Sequence, residues 1–60
     1  MKISDQLGEI QLLLNDAINE NQKFEEKGNK AASVRVRGLL MEIIHQSKAV
    51  RLQITDLKKK

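Results

Sequence analysis

The residues best suited to chemistry in this chain are its lysines and arginines. Eleven of them stand against eight acidic residues in 60, a net charge of +3. One group of these basic residues lies just after the middle of the chain, and most of the others lie closer to the C-terminus. Side-chain cations bind phosphate oxygens without needing particular bases, so double-stranded DNA is one partner that they would suit. The candidate phosphate-binding residues are Lys27, Lys30, Arg35, Arg37, Lys48, Arg51, Lys58, Lys59 and Lys60.

Charge is divided unequally between the two halves of the chain. Residues 1–26 carry two basic and six acidic residues, a net charge of −4, and residues 27–60 carry nine basic and two acidic residues, a net charge of +7. Either the two halves attract each other, within one chain or across a dimer, or the basic half binds a polyanion. The charge pattern alone leaves both explanations open.

Residues for catalysis or for holding a cofactor are scarce. The chain has no cysteine, and its single histidine, His45, is two residues from Ser47, about 200° around a helix. Gly8, Gly28 and Gly38 are isolated, so they form no phosphate-binding loop. We therefore expect no enzymatic activity, no metal site, no cofactor and no small-molecule substrate.

Apolar residues in the first half recur at alternating spacings of three and four residues, which is typical of an amphipathic helix with a heptad seam. The pattern predicts a helix from about residue 3 to about residue 27, with Ser4 or Asp5 as its N-terminal cap. Leu13 and Ile18 widen the apolar stripe. The predicted seam consists of Ile3, Leu7, Ile10, Leu14, Ala17, Asn21 and Phe24.

A bend is predicted at residues 28–29, where Gly28 suits the left-handed position after a helix and Asn29 suits the cap of the next one. The second helix is predicted from about residue 30 to about residue 57, followed by a basic tail at 58–60. Ala32, Leu39, Met41 and Ile44 lie beside its seam. That seam consists of Ser33, Val36, Leu40, Ile43, Ser47, Val50, Ile54 and Leu57.

These elements predict an all-α fold, an antiparallel two-helix hairpin formed by residues 1–60 as a single unit. Each helix has more apolar surface than one partner can cover, so we expect two hairpins to assemble as a dimeric four-helix bundle. The same pattern would tolerate opening at Gly28 into one long coiled coil. The predicted core and oligomer residues are Ile3, Leu7, Ile10, Leu13, Leu14, Ile18, Phe24, Val36, Leu39, Leu40, Ile43, Ile44, Val50, Ile54 and Leu57.

One segment carries a family resemblance. Gly28-Asn29-Lys30-Ala31-Ala32, followed by Arg35-Val36-Arg37, resembles the short linker-histone-like, chlamydial Hc-type proteins of bacteria, which also occur as small chains in Bacteroidetes. Members typically show Asn-Lys-Ala-Ala, then two arginines one residue apart, then a helix rich in leucine and lysine. The second helix here is less basic, with Gly38 where the family tends to have lysine. The resemblance implies a DNA-associated protein of the bacterial nucleoid, with Asn29, Lys30, Ala31, Ala32, Arg35 and Arg37 matching the family pattern.

Two functions remain in competition at this stage. The first is histone-like binding of double-stranded DNA by a homodimer through phosphate contacts, without sequence preference. The second is a coiled-coil or four-helix-bundle module for protein interaction, without nucleic acid. A membrane span is not expected, because no apolar run approaches the length of about 18 residues that a span requires. Binding to an anionic membrane surface is a third possibility that fits poorly, because the apolar surface of the helices is needed for a core and no tryptophan anchors it. We expect a cytoplasmic protein.

Overall fold

The computed structural model describes residues 2–58 and contains two α-helices in this range. Helix α1 spans Ile3–Lys27 and helix α2 spans Lys30–Lys58. They pack against each other along their length and form a rod of 51 × 15 × 13 Å. The predicted all-α, two-helix hairpin is confirmed.

The bend has the backbone geometry that its sequence predicts. Gly28 lies in the left-handed region, at φ 63° and ψ 27°, and its N–H donates to the carbonyl of Phe24 at 2.9 Å. Asn29 then caps α2, because its Oδ1 accepts from the N–H of Ala32 at 3.2 Å. The C-terminal end of α1 and the N-terminal end of α2 thus receive capping hydrogen bonds from only two residues. A connection this short makes the two helices antiparallel.

The predicted cap of α1 is wrong. The helix begins at Ile3, before Ser4 and Asp5, and the preceding Lys2 has extended backbone and makes no side-chain capping bond. The N–H of Gln6 donates instead to the carbonyl of Lys2 at 3.1 Å. Starting earlier brings Ile3 into the helix, where it is half-buried, which offsets a cap worth only about 1 kcal/mol.

The contact between the helices is centred on small side chains. Ala17, Ala32 and Val50 are its most deeply buried residues, at 5%, 0% and 6% exposure. No large side chain within residues 2–58 is fully buried. Half-buried residues complete the contact, some of them polar: Ile3, Gln6, Ile10, Leu13, Glu20 and Asn21 on α1, and Ser33, Val36, Leu39, Ile43, Gln46, Ser47 and Gln53 on α2.

This contact is rotated from the predicted heptad seam. Gln6, Leu13 and Leu39 take places that the prediction gave to their neighbours Leu7, Leu14 and Leu40. The apolar stripe of each helix is wider than one partner can cover, so a small rotation decides which part is covered. The predicted residues that remain exposed, with their exposed fractions, are Leu7 52%, Leu14 47%, Ile18 50%, Phe24 42%, Leu40 45%, Ile44 47%, Ile54 38% and Leu57 54%.

These eight residues are therefore not core residues of the hairpin itself. Their role in an oligomer stays a prediction. Over the described part of the chain, neither helix contains a stretch long and apolar enough to cross a membrane.

Candidate nucleic-acid interface

One edge of the hairpin carries an ion pair between the helices. Glu20 of α1 accepts from Nε of Arg35 on α2 at 2.9 Å, and Nζ of Lys23 lies 3.6 Å from its other carboxylate oxygen. The hydrogen bond from Arg35 holds the pKa of the Glu20 carboxyl below its ordinary value of 4.5. The charge of Arg35 is thus offset within the hairpin.

Five other cations of α2 lie on the side of that helix that faces away from this ion pair. They recur at helical spacing along one side of α2, and every one of them is exposed. Arg37 is only two residues from Arg35 but about 200° around the axis, on the other side of the helix. We call this set the basic stripe, and it consists of Lys30, Arg37, Lys48, Arg51 and Lys58.

The charges of the basic stripe are uncompensated in the described part of the chain. The ion pairs found there join Glu20 to Lys23 and Arg35, and none involves a stripe residue. From Lys30 to Lys58 the stripe extends about 42 Å, at a rise of about 1.5 Å per residue. The basic stripe is therefore a long row of cations without ion-pair partners among residues 2–58.

A shallow groove lies along the C-terminal half of the stripe. Lys48, Arg51, Leu52 and Thr55 line it, with a volume of about 280 Å³. The Thr55 hydroxyl donates to the carbonyl of Arg51 at 3.0 Å, so it is already satisfied by the backbone. Two cations beside one depression can approach the same phosphate group, which is the chemistry this groove supports.

The candidate phosphate-binding residues are thus divided by the structure. Five form the basic stripe, and Arg35 lies apart from them beside Glu20. Lys27, in the last turn of α1, is seven residues after Glu20 and lies on the same side of α1. Lys59 and Lys60 lie outside the described residues. That any of these cations contacts DNA stays a prediction.

Two features of the site were not predicted from the sequence. One is the Glu20–Arg35 pair, whose only signal was opposite charge at nearly equal distances from Gly28. The other is which of the exposed apolar residues share a face. Glu20 and Arg35 touch, so they define one face, and five large side chains lie on the other side of the helix contact. We call this the apolar face, and it consists of Leu7, Leu14, Ile18, Leu40 and Ile44.

Comparison with known protein families gives a match over nearly the whole chain. The model of the family described as "Histone H1-like protein Hc1" matches residues 4–60, which takes in nearly all of both helices. No curated protein and no solved structure matches the chain.

Proposed function

The chain belongs to the Hc1 family of histone H1-like proteins, and from this premise we propose that it binds double-stranded DNA through phosphate oxygens, without sequence preference. The family is one of DNA-binding structural proteins and not of enzymes. The observation that carries the proposal is the basic stripe, a row of exposed cations without carboxylate partners among residues 2–58. On this proposal the protein acts at the bacterial nucleoid.

The dimensions of the stripe suit a duplex. Its length of about 42 Å slightly exceeds one turn of duplex DNA, about 34 Å. The acidic residues of α1 would be repelled by phosphates, so the hairpin should approach DNA with α2. Stacking on unpaired bases is disfavoured, because Phe24 is the one aromatic residue of the sequence.

The functional form in this proposal is a homodimer in which two hairpins make a four-helix bundle. The support is the apolar face, whose five side chains are 45–52% exposed in the single hairpin. A chain of this length with only alanine and valine deeply buried has a small core and is only marginally stable alone. A second copy that covers the apolar face supplies the missing core.

The competing function is an oligomerisation module without nucleic acid. The same apolar face favours it, and the basic residues of α2 would then pair with acidic residues of α1 in a second copy. Neutralising the basic stripe would weaken assembly under this alternative, whereas under the DNA-binding proposal it weakens DNA binding and leaves assembly intact.

We therefore expect Arg37→Gln/Lys48→Gln to weaken binding to any duplex, because it removes two phosphate contacts. The slope of log affinity against log salt should shrink by about 1.8 per protomer, at about 0.9 for each contact. Fluorescence anisotropy of a labelled duplex over a salt series measures both quantities, and sedimentation checks the oligomer.

The matched control is Lys2→Gln/Lys23→Gln, which removes the same charge from outside the stripe. It should change the salt slope little. Equal losses of DNA affinity in the two variants would mean that net charge, and not the basic stripe, determines binding. No loss in either variant would contradict the proposed interface.

A further inference from the structure

The apolar face adjoins the basic stripe on α2, where Ile44 lies seven residues from both Arg37 and Arg51, so the packing of the dimer decides where the two stripes point. Two hairpins can stack their apolar faces about a two-fold axis in two ways. With the axis along the helices, α1 of each protomer lies against α2 of the other. With the axis across the helices, α1 lies against α1 and α2 against α2.

The charges beside the apolar face distinguish the two arrangements. On α2 the flanking residues include Arg37, Lys48 and Arg51, so α2 against α2 would bring cations of both protomers together. Like charges in close contact oppose association. The second arrangement is therefore unfavourable on electrostatic grounds.

On α1 the corresponding flank has no cation. It carries Glu25 near the bend and otherwise neutral polar residues, whereas Lys23 and Lys27 lie on the other side of the helix. With the axis along the helices both bends lie at the same end, and Glu25 comes level with Lys30 of the partner subunit. This arrangement covers the same apolar area without opposing cations.

We propose that the dimer pairs each α1 with the α2 of the other protomer, holds its two basic stripes on opposite edges, and so bridges two DNA duplexes. In the other arrangement both stripes would share one edge and bind a single duplex. This inference rests on the proposed function, since it requires both DNA binding and dimerisation through the apolar face. The new element is that each dimer has two separate DNA-binding sites.

A two-duplex capture experiment tests the inference. One duplex is fixed to beads, and a fluorescent duplex of unrelated sequence and equal length is added with the full-length protein. Retained fluorescence should rise well above that of beads without protein. Binding of a single duplex is measured in parallel by gel shift, so that loss of bridging and loss of DNA binding are distinguished.

Two leucine variants make the test specific to the dimer. Leu14→Asn changes the apolar face, and it should lower retention to the level of bare beads while a gel shift at higher protein concentration persists. Leu12→Asn, on the opposite side of α1 and 64% exposed, should retain the second duplex as the wild type does.

If Leu14→Asn does not fold, the result for the wild-type protein alone tests the bridging inference. A wild-type protein that shifts one duplex without retaining a second overturns the bridging inference and leaves the proposed function in place. Absence of any shift overturns both. Full retention by a monomeric, folded Leu14→Asn would also overturn the inference, since bridging would then not need the dimer.

Discussion

At the scale of single residues, the Glu20–Arg35 pair matters because it assigns two neighbouring arginines to different tasks. The resemblance to linker-histone-like proteins implied a DNA role for both Arg35 and Arg37. In the structure Arg35 joins the helices through Glu20, whereas Arg37 lies on the other side of α2 without a carboxylate partner among the described residues. A sequence that reverses the charge of Arg35 would therefore place two acidic groups together and disturb the hairpin.

The pair also makes a prediction about pH. The folded-state pKa of Glu20 is lowered, so its contribution to stability is present above the unfolded pKa and is lost as the pH falls through the folded pKa. We expect Glu20→Gln to have a smaller free energy of unfolding than the wild type near neutral pH. The difference should narrow as the pH falls below 4.5, the ordinary value for this group.

Urea unfolding of both proteins at a series of pH values measures this difference. The control is Glu9→Gln, which removes the same charge from an exposed position of α1 outside the described ion pairs. If the difference in free energy of unfolding between Glu20→Gln and the wild type does not change with pH, an ionic role for Glu20 is contradicted.

At the scale of the helices, the sequence predicted much of the fold because local signals determine it. Periodic apolar residues predicted two helices, and the Gly28-Asn29 pair predicted the bend and its caps. The side of each helix that packs against the other could not be predicted in the same way, because the apolar stripe of each helix is wider than its partner can cover. Whether Leu13 or Leu14 is covered depends on the mutual rotation of the helices, which no local signal specifies.

The glycines provide a prediction at this scale. Gly28→Ala should lower the free energy of unfolding by about 1 to 2 kcal/mol, because the left-handed region disfavours a Cβ atom. The cost is one of backbone conformation, since no atom outside the neighbouring residues lies within 4 Å of the added Cβ.

Gly38→Ala is the matched substitution and should have the opposite sign. Gly38 lies within α2, its added Cβ also has open space, and alanine favours the helix by about 1 kcal/mol. Thermal and urea unfolding of both variants compares them directly. Equal effects of the two substitutions would mean that the bend does not require its left-handed residue in solution.

At the scale of the whole molecule, a single hairpin leaves twelve of the large apolar side chains in residues 2–58 exposed. Five of them share one face, and the residues buried between α1 and α2 are small. Burying one leucine contributes about 1.5 to 3 kcal/mol, and a two-fold dimer buries each position twice. Covering the apolar face would therefore stabilise the assembly far more than any surface ion pair.

Leu14→Asn should therefore raise the dissociation constant of the dimer by at least about 100-fold. Leu12→Asn replaces the same residue type two positions away, outside the apolar face, and should leave the constant nearly unchanged. Sedimentation velocity over a range of protein concentrations measures both. A wild-type protein that stays monomeric and folded at every concentration would contradict the proposed assembly.

The most direct test of the account concerns phosphate-driven binding of double-stranded DNA by the wild-type protein. Its affinity should be measured for two duplexes of equal length and unrelated sequence over a salt series. We predict equal affinities for the two duplexes and a slope of log affinity against log salt of about −4.5 per protomer, at about 0.9 for each of the five stripe cations. A strong preference for one duplex, a slope near zero, or no binding at low salt would contradict it.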